Sequence, residues 1–119
     1  MKKYIIERLK SFYPAFQGIS QLIRYEKNAT IHLIATIFVI IISWLLSVNT
    51  TEWLFIFLAI FLVWITELIN TSIEKLTDKE YPEFHPKAKI IKDFSAGAVL
   101  MAAIFSVIVA IFIFLPRML

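Results

Sequence analysis

Three stretches of this chain are apolar almost without interruption, and each is as long as a bilayer core is thick. They run from Thr30 to Val48, from Trp53 to Ile73 and from Ser95 to Leu115. About 20 helical residues cross the hydrocarbon. Lipid offers backbone groups no partners, so each stretch is predicted to be a transmembrane helix. The pattern ahead of them is different. Ile5, Leu9, Phe12, Phe16, Ile19 and Ile23 recur at alternating steps of four and three, one apolar stripe on a helix. Lys3, Glu7, Lys10, Gln17, Gln21 and Arg24 occupy its other faces. Residues 1–28 therefore read as an amphipathic segment lying on the membrane surface, with Pro14 expected to kink or interrupt it. The mixed periodic pattern is not that of a signal peptide. Between the second and third spans, residues 76–92 are expected to form a cytoplasmic turn around the two prolines of DKEYPEFHPK. The fold class is thus all-α and integral to the membrane, a single domain over residues 1–119.

Composition agrees with the pattern. Of the 119 residues 60% are hydrophobic, against about 45–50% in soluble domains, and a chain this small leaves too much surface in water to hide them. No cysteine is present, which removes disulfides, thiolate metal ligands and thiol nucleophiles. Gly18 and Gly97 are the only glycines, so neither a phosphate-cradling P-loop nor a dinucleotide fingerprint can be built. The net charge of +3 matters through its placement, and no nucleic-acid partner is expected. Lys2, Lys3, Arg8, Lys10, Arg24 and Lys27 precede the first span; Lys75, Lys79, Lys87, Lys89 and Lys92 lie between the second and third. The short first connection carries none, and only Arg117 follows the third span. The positive-inside rule then puts the N-terminus and the second connection in the cytoplasm, and the C-terminus outside. The expected location is the plasma (cell inner) membrane. Trp44, Trp53 and Trp64 suit interfacial or packing positions.

Chemistry concentrates at the end of the second span. Glu67, Asn70, Glu74 and Asp78 share about 80° of arc at roughly 100° per residue, one polar stripe on the helix. A helix end emerging into water accounts for Asp78 and Glu74. It accounts poorly for Glu67, which is still flanked by Leu68, Ile69 and Ile73, where a carboxylate needs a partner or a task. Lys92 and Asp93 open the third span, with Ala96 and Gly97 permitting close helix approach, and Glu26 precedes the first at matching depth. All three spans so bring charged groups to one level. Carboxylates without thiolates suit Mg²⁺ completed by substrate phosphates, a lysine can neutralise phosphate, and a carboxylate at headgroup depth can serve as general base. Those elements together point to phosphoryl transfer onto a lipid hydroxyl. A small proton-coupled transporter would instead carry its carboxylate near mid-membrane. A non-catalytic membrane subunit would use polar helix ends for packing alone.

The runs ELINTSIEKLTD (67–78) and AKIIKDFSAGAVL (88–100) resemble the prokaryotic diacylglycerol kinase family, small three-span membrane enzymes that include the undecaprenol kinases. The resemblance extends from Phe16 through the third span. It implies a homotrimer with active sites between protomers at the cytoplasmic interface, acting on undecaprenol or diacylglycerol with ATP and Mg²⁺. Carried over residue by residue, it implies that Glu67 is the base that takes the lipid hydroxyl's proton. Glu26 and Glu74 would hold the metal, while Lys92 and Asp93 would contact the nucleotide. Glu83, Phe84 and His85 match the family's nucleotide-contacting turn, and Asn70 and Asp78 would orient the groups in contact with substrate. His32 is expected to be structural. Many members carry arginine where this chain has Thr30, with Lys27 as the available substitute charge. The stretch from His85 to Lys89, followed by Ala96-Gly97-Ala98, looks more like the undecaprenol kinase branch.

Overall fold

A computed structural model describes the chain from Met1 to Leu119. It contains five helices and no strand: α1 (Lys2–Lys10), α2 (Phe12–Tyr25), α3 (Lys27–Leu45), α4 (Thr50–Glu80) and α5 (Pro86–Met118). Helices α3, α4 and α5 are long and apolar enough to cross a membrane. The amphipathic N-terminal segment is two helices that part at Ser11, three residues before Pro14. A proline ring collides with the carbonyl four residues earlier. Breaking at Ser11 places Pro14 in the first turn of α2, where no helical donor is required of it.

The connection between α4 and α5 is shorter than the pattern of charge suggested. Only Tyr81 to His85 lie outside helices, so residues 76–80 and 86–92 are helical rather than part of a turn. Nothing between Glu67 and Glu80 breaks a helix. Pro82 disfavours helical geometry at Tyr81, which ends α4. Pro86 restarts the chain at the first position of α5, where its fixed φ is preorganised. At about 1.5 Å per residue, α4 and α5 are each roughly 46–50 Å long, well beyond a hydrocarbon core. The excess length includes the charged last turns of α4 and the charged first turns of α5.

Helices α4 and α5 pack antiparallel as the backbone of the molecule, α3 leans on α4, and α2 touches both α3 and α4. The result is a flat body of 51 × 49 × 22 Å. At the Asn49 end of the hairpin, Val48, Ile56, Ala59, Val109 and Ile113 form the apolar core, with Trp53 and Phe105 against it. That end is closed by specific chemistry. Val48 N–H donates to Ser43 O and Ser47 N–H to Trp44 O, the pattern that terminates a helix through a left-handed residue; Ser47 takes that role at φ 53°. Asn49 and Glu52 cap α4 reciprocally, at 2.9 and 3.0 Å. Arg117 grips the Glu52 carboxylate with both Nη atoms at 2.6 Å, tying the end of α5 to the start of α4. Outside this core the large apolar side chains are mostly exposed, as lipid contact requires.

Candidate functional site

The Tyr81 half of the same hairpin buries polar groups instead. Glu67 is 3% exposed and Asn70 8%, with Thr77 and Ser95 also buried. Ser95 on α5 donates its hydroxyl to Asn70 Oδ1 at 2.7 Å. That bond orients the amide, and Asn70 Nδ2 donates to Glu74 Oε1 at 3.2 Å. A flipped amide would set its oxygen against the Glu74 carboxylate, so the serine fixes which face Glu74 meets. Two of the four residues in the polar stripe, Asn70 and Glu74, thus acquire partners, and Asp78 pairs with Lys92 across the hairpin.

The buried carboxylate has one polar side-chain neighbour, and it comes from α3. His32 Nε2 lies 3.5 Å from Glu67 Oε2. Trp64 stacks edge-on against the imidazole, with ring centroids 6.2 Å apart. Trp64 also donates Nε1–H to Thr36 Oγ1 at 3.0 Å, and Thr36 in turn donates to His32 O at 2.7 Å. Trp64 thus links α3 to α4 beside the carboxylate.

Beyond Glu67, the short turn shapes a second polar region. His85 accepts the Lys87 N–H on Nδ1 at 3.0 Å and so caps α5. Its ring packs on Tyr81 at 4.7 Å. Asp78, Glu83, Phe84, His85, Lys92 and Asp93, every residue expected to meet a nucleotide apart from the metal-holding glutamates, line one cavity of about 350 Å³. Lys89 spans to Asp93 at 2.6 Å along the same helix. Two lysines and two aspartates at the rim make this a cavity of mixed charge.

Glu26 occupies the break between α2 and α3, its backbone extended at φ −99°, ψ 123°. There it turns its side chain toward α4. Lys75 Nζ sits 3.4 Å from Glu26 Oε1, and the two residues line a cavity of about 310 Å³ with Gly18, Gln21, Thr71 and Ser72. Glu26, Glu74 and Lys92 do not meet around a common point within one chain. Each has its own partner (Lys75, Asn70 and Asp78), and no three His, Asp or Glu side chains converge to hold a metal. The sequence reading had placed the site between protomers, and a single copy does not bring these three side chains together. That reading missed His32 as the neighbour of Glu67, and Lys75 and Ser95 as partners of site residues. No local spacing signals these contacts, which arise only when α3 and α5 pack against α4.

A family model described as prokaryotic diacylglycerol kinase matches residues 13–114. The chain belongs to the prokaryotic diacylglycerol kinase family. Membership places it among the lipid kinases, in agreement with three membrane-length helices. The undecaprenol kinase of Bacillus subtilis is 40% identical over 109 residues, covering 92% of this chain and 89% of that protein. The diacylglycerol kinase of Synechocystis is 38% identical over 112 residues, covering 93% of this chain and 64% of that one. The diacylglycerol kinase of Helicobacter pylori is 41% identical over 73 residues, with 61% and 57% covered. The family model encloses the polar stripe, the Tyr81 turn and the Lys92–Asp93 pair alike.

Proposed function

We propose that this chain transfers the terminal phosphoryl group of ATP to the hydroxyl of a membrane lipid alcohol, undecaprenol or diacylglycerol. The products would be the lipid monophosphate and ADP. The observation that carries this reading is a carboxylate, Glu67, buried to 3% exposure in a membrane-length helix, a few turns from a charged cavity around Lys92. A lipid hydroxyl at headgroup depth can reach the first while a nucleotide occupies the second.

In this scheme Glu67 accepts the hydroxyl proton as the oxygen attacks phosphorus. Lys92 sets positive charge against phosphate oxygens, exchanging Asp78 for them. His85 and Phe84 present rings to the nucleoside, and Asp93 binds its polar edge. Glu26 and Glu74 offer only hard oxygen donors, each engaged by a single replaceable partner. That donor set fits Mg²⁺, which takes one or two carboxylates and draws its other ligands from phosphates and water. When bound, the ion would neutralise charge on the transferring group. With no glycine-rich loop available, catalysis rests on positioning and electrostatics, the terms that dominate phosphoryl transfer.

The surplus of lysine and arginine before α3 and between α4 and α5 supports a cytoplasmic N-terminus and site, in the plasma membrane. A homotrimer would supply the convergence that one copy lacks. The similarity to an undecaprenol kinase along 89% of its length favours undecaprenol as acceptor. Purified protein given γ-labelled ATP and both lipids in competition tests the assignment. Label is expected chiefly in undecaprenyl phosphate, and no label in either lipid would reject the proposal.

A further inference from the structure

We infer that His32 is a positioning residue for Glu67, holding the carboxylate that would take the acceptor's proton; this rests on the reading of Glu67 as base. Two contacts fix the imidazole, and a third ties its backbone to the same tryptophan. Its Nε2 faces Glu67 Oε2 at 3.5 Å, longer than a good hydrogen bond and within the range that catalytic contacts show before substrate tightens them. Its ring is held by the edge of Trp64, and its backbone carbonyl by the Thr36 hydroxyl that Trp64 also bonds. Glu67 has no other side-chain partner, and a buried carboxylate without one swings between rotamers and is costly to keep charged. The imidazole also lines an apolar cavity of about 210 Å³ between α3, α4 and α5. There α5 contributes Ala103 and Ser106, and α4 contributes Ile60 and Val63.

A Nε2–H donated to one carboxylate oxygen leaves the other free to accept from a hydroxyl.

The test is a double-mutant cycle on the purified full-length protein, reading kcat and KM for ATP and for lipid. His32→Leu is expected to lower kcat on the order of tenfold, a fraction of what a general base contributes, with both KM values unchanged. His32→Gln, whose amide can reach with an N–H, should recover most of that loss and give a pH–kcat profile of different shape. His32→Asn is polar but too short, and should behave like the leucine variant; it stands in if leucine prevents folding. In a Glu67→Gln background, His32→Leu should cause no further fall. Normal kcat in both His32→Leu and His32→Asn, or effects of His32 and Glu67 that simply multiply, would overturn the inference while leaving the base in place. Normal kcat in Glu67→Gln would instead remove the base itself.

Discussion

The two ends of the α4–α5 hairpin are built by opposite rules. At the Asn49 end, aliphatic side chains close on one another, a reciprocal cap satisfies the start of α4, and Arg117 holds Glu52 through two 2.6 Å bonds. The polar side chains of Asn49, Glu52 and Arg117 all serve neighbours in the same chain. At the Tyr81 end the helices bury Glu67, Asn70, Thr77 and Ser95 and surround them with cavities. Pairs such as Lys75–Glu26 at 3.4 Å and His32–Glu67 at 3.5 Å are looser than the clamp opposite. A fold seeking only stability would fill the buried positions with packed apolar residues, since replacing a buried ion pair by apolar side chains of similar volume is often neutral or stabilising. The contrast separates a scaffold from the proposed site along one pair of rods.

The sharpest way to break the comparison is to remove charge at the working end. Glu67→Gln keeps the shape of the side chain, and turnover should fall by about 10²–10⁴-fold. Stabilisation of the protein by ATP in a thermal-unfolding assay should survive. The reverse experiment damages the scaffold. Ile56 is 2% exposed in the apolar core, and Ile56→Ala should lower unfolding stability by about 2–4 kcal/mol. Specific activity of the folded fraction should stay near normal. A large loss of kcat with stability intact would mean that the ends are not separable.

Smaller effects sharpen the same division. Glu74→Ala should raise the Mg²⁺ concentration for half-maximal activity by roughly tenfold, about 1.4 kcal/mol of lost binding, with little change in unfolding. An unchanged Mg²⁺ titration would take Glu74 out of ligation. At the other end, Ser47 sits at φ 53° where glycine is usual. Ser47→Gly relieves about 1–2 kcal/mol of left-handed strain and costs about 0.5–1 in chain entropy. A gain of roughly 0.5 kcal/mol in denaturant unfolding, with unchanged kcat, is the expected outcome.

What the sequence disclosed divides along physical lines. Hydrophobic periodicity is a local property, so three membrane-length helices and an amphipathic N-terminal segment were legible from spacing alone. Helix ends were not. Residues 76–80 were assigned to the turn because Asp78, Lys79 and Glu80 are polar, yet nothing among them breaks a helix, and Pro82 rather than charge ends α4. The stripe of Glu67, Asn70, Glu74 and Asp78 was legible because it lies on one helix. Lys92 was placed opposite the stripe, but Ser95 and His32 were not, because they reach it from other helices and share no sequence spacing with it. The break that makes Glu26 an elbow between α2 and α3 has no glycine or proline to announce it. The reading of His32 as purely structural followed from its place near the start of a span, where nothing local points to Glu67.

The most direct test of the account measures label transfer from ATP to lipid and thermal unfolding on one preparation each of wild type and Glu67→Gln. The division between scaffold and site predicts that the variant unfolds at the same temperature or higher, and that lipid phosphorylation is nearly abolished. A variant that phosphorylates lipid at the normal rate, or one that loses activity only because it no longer folds, would contradict it.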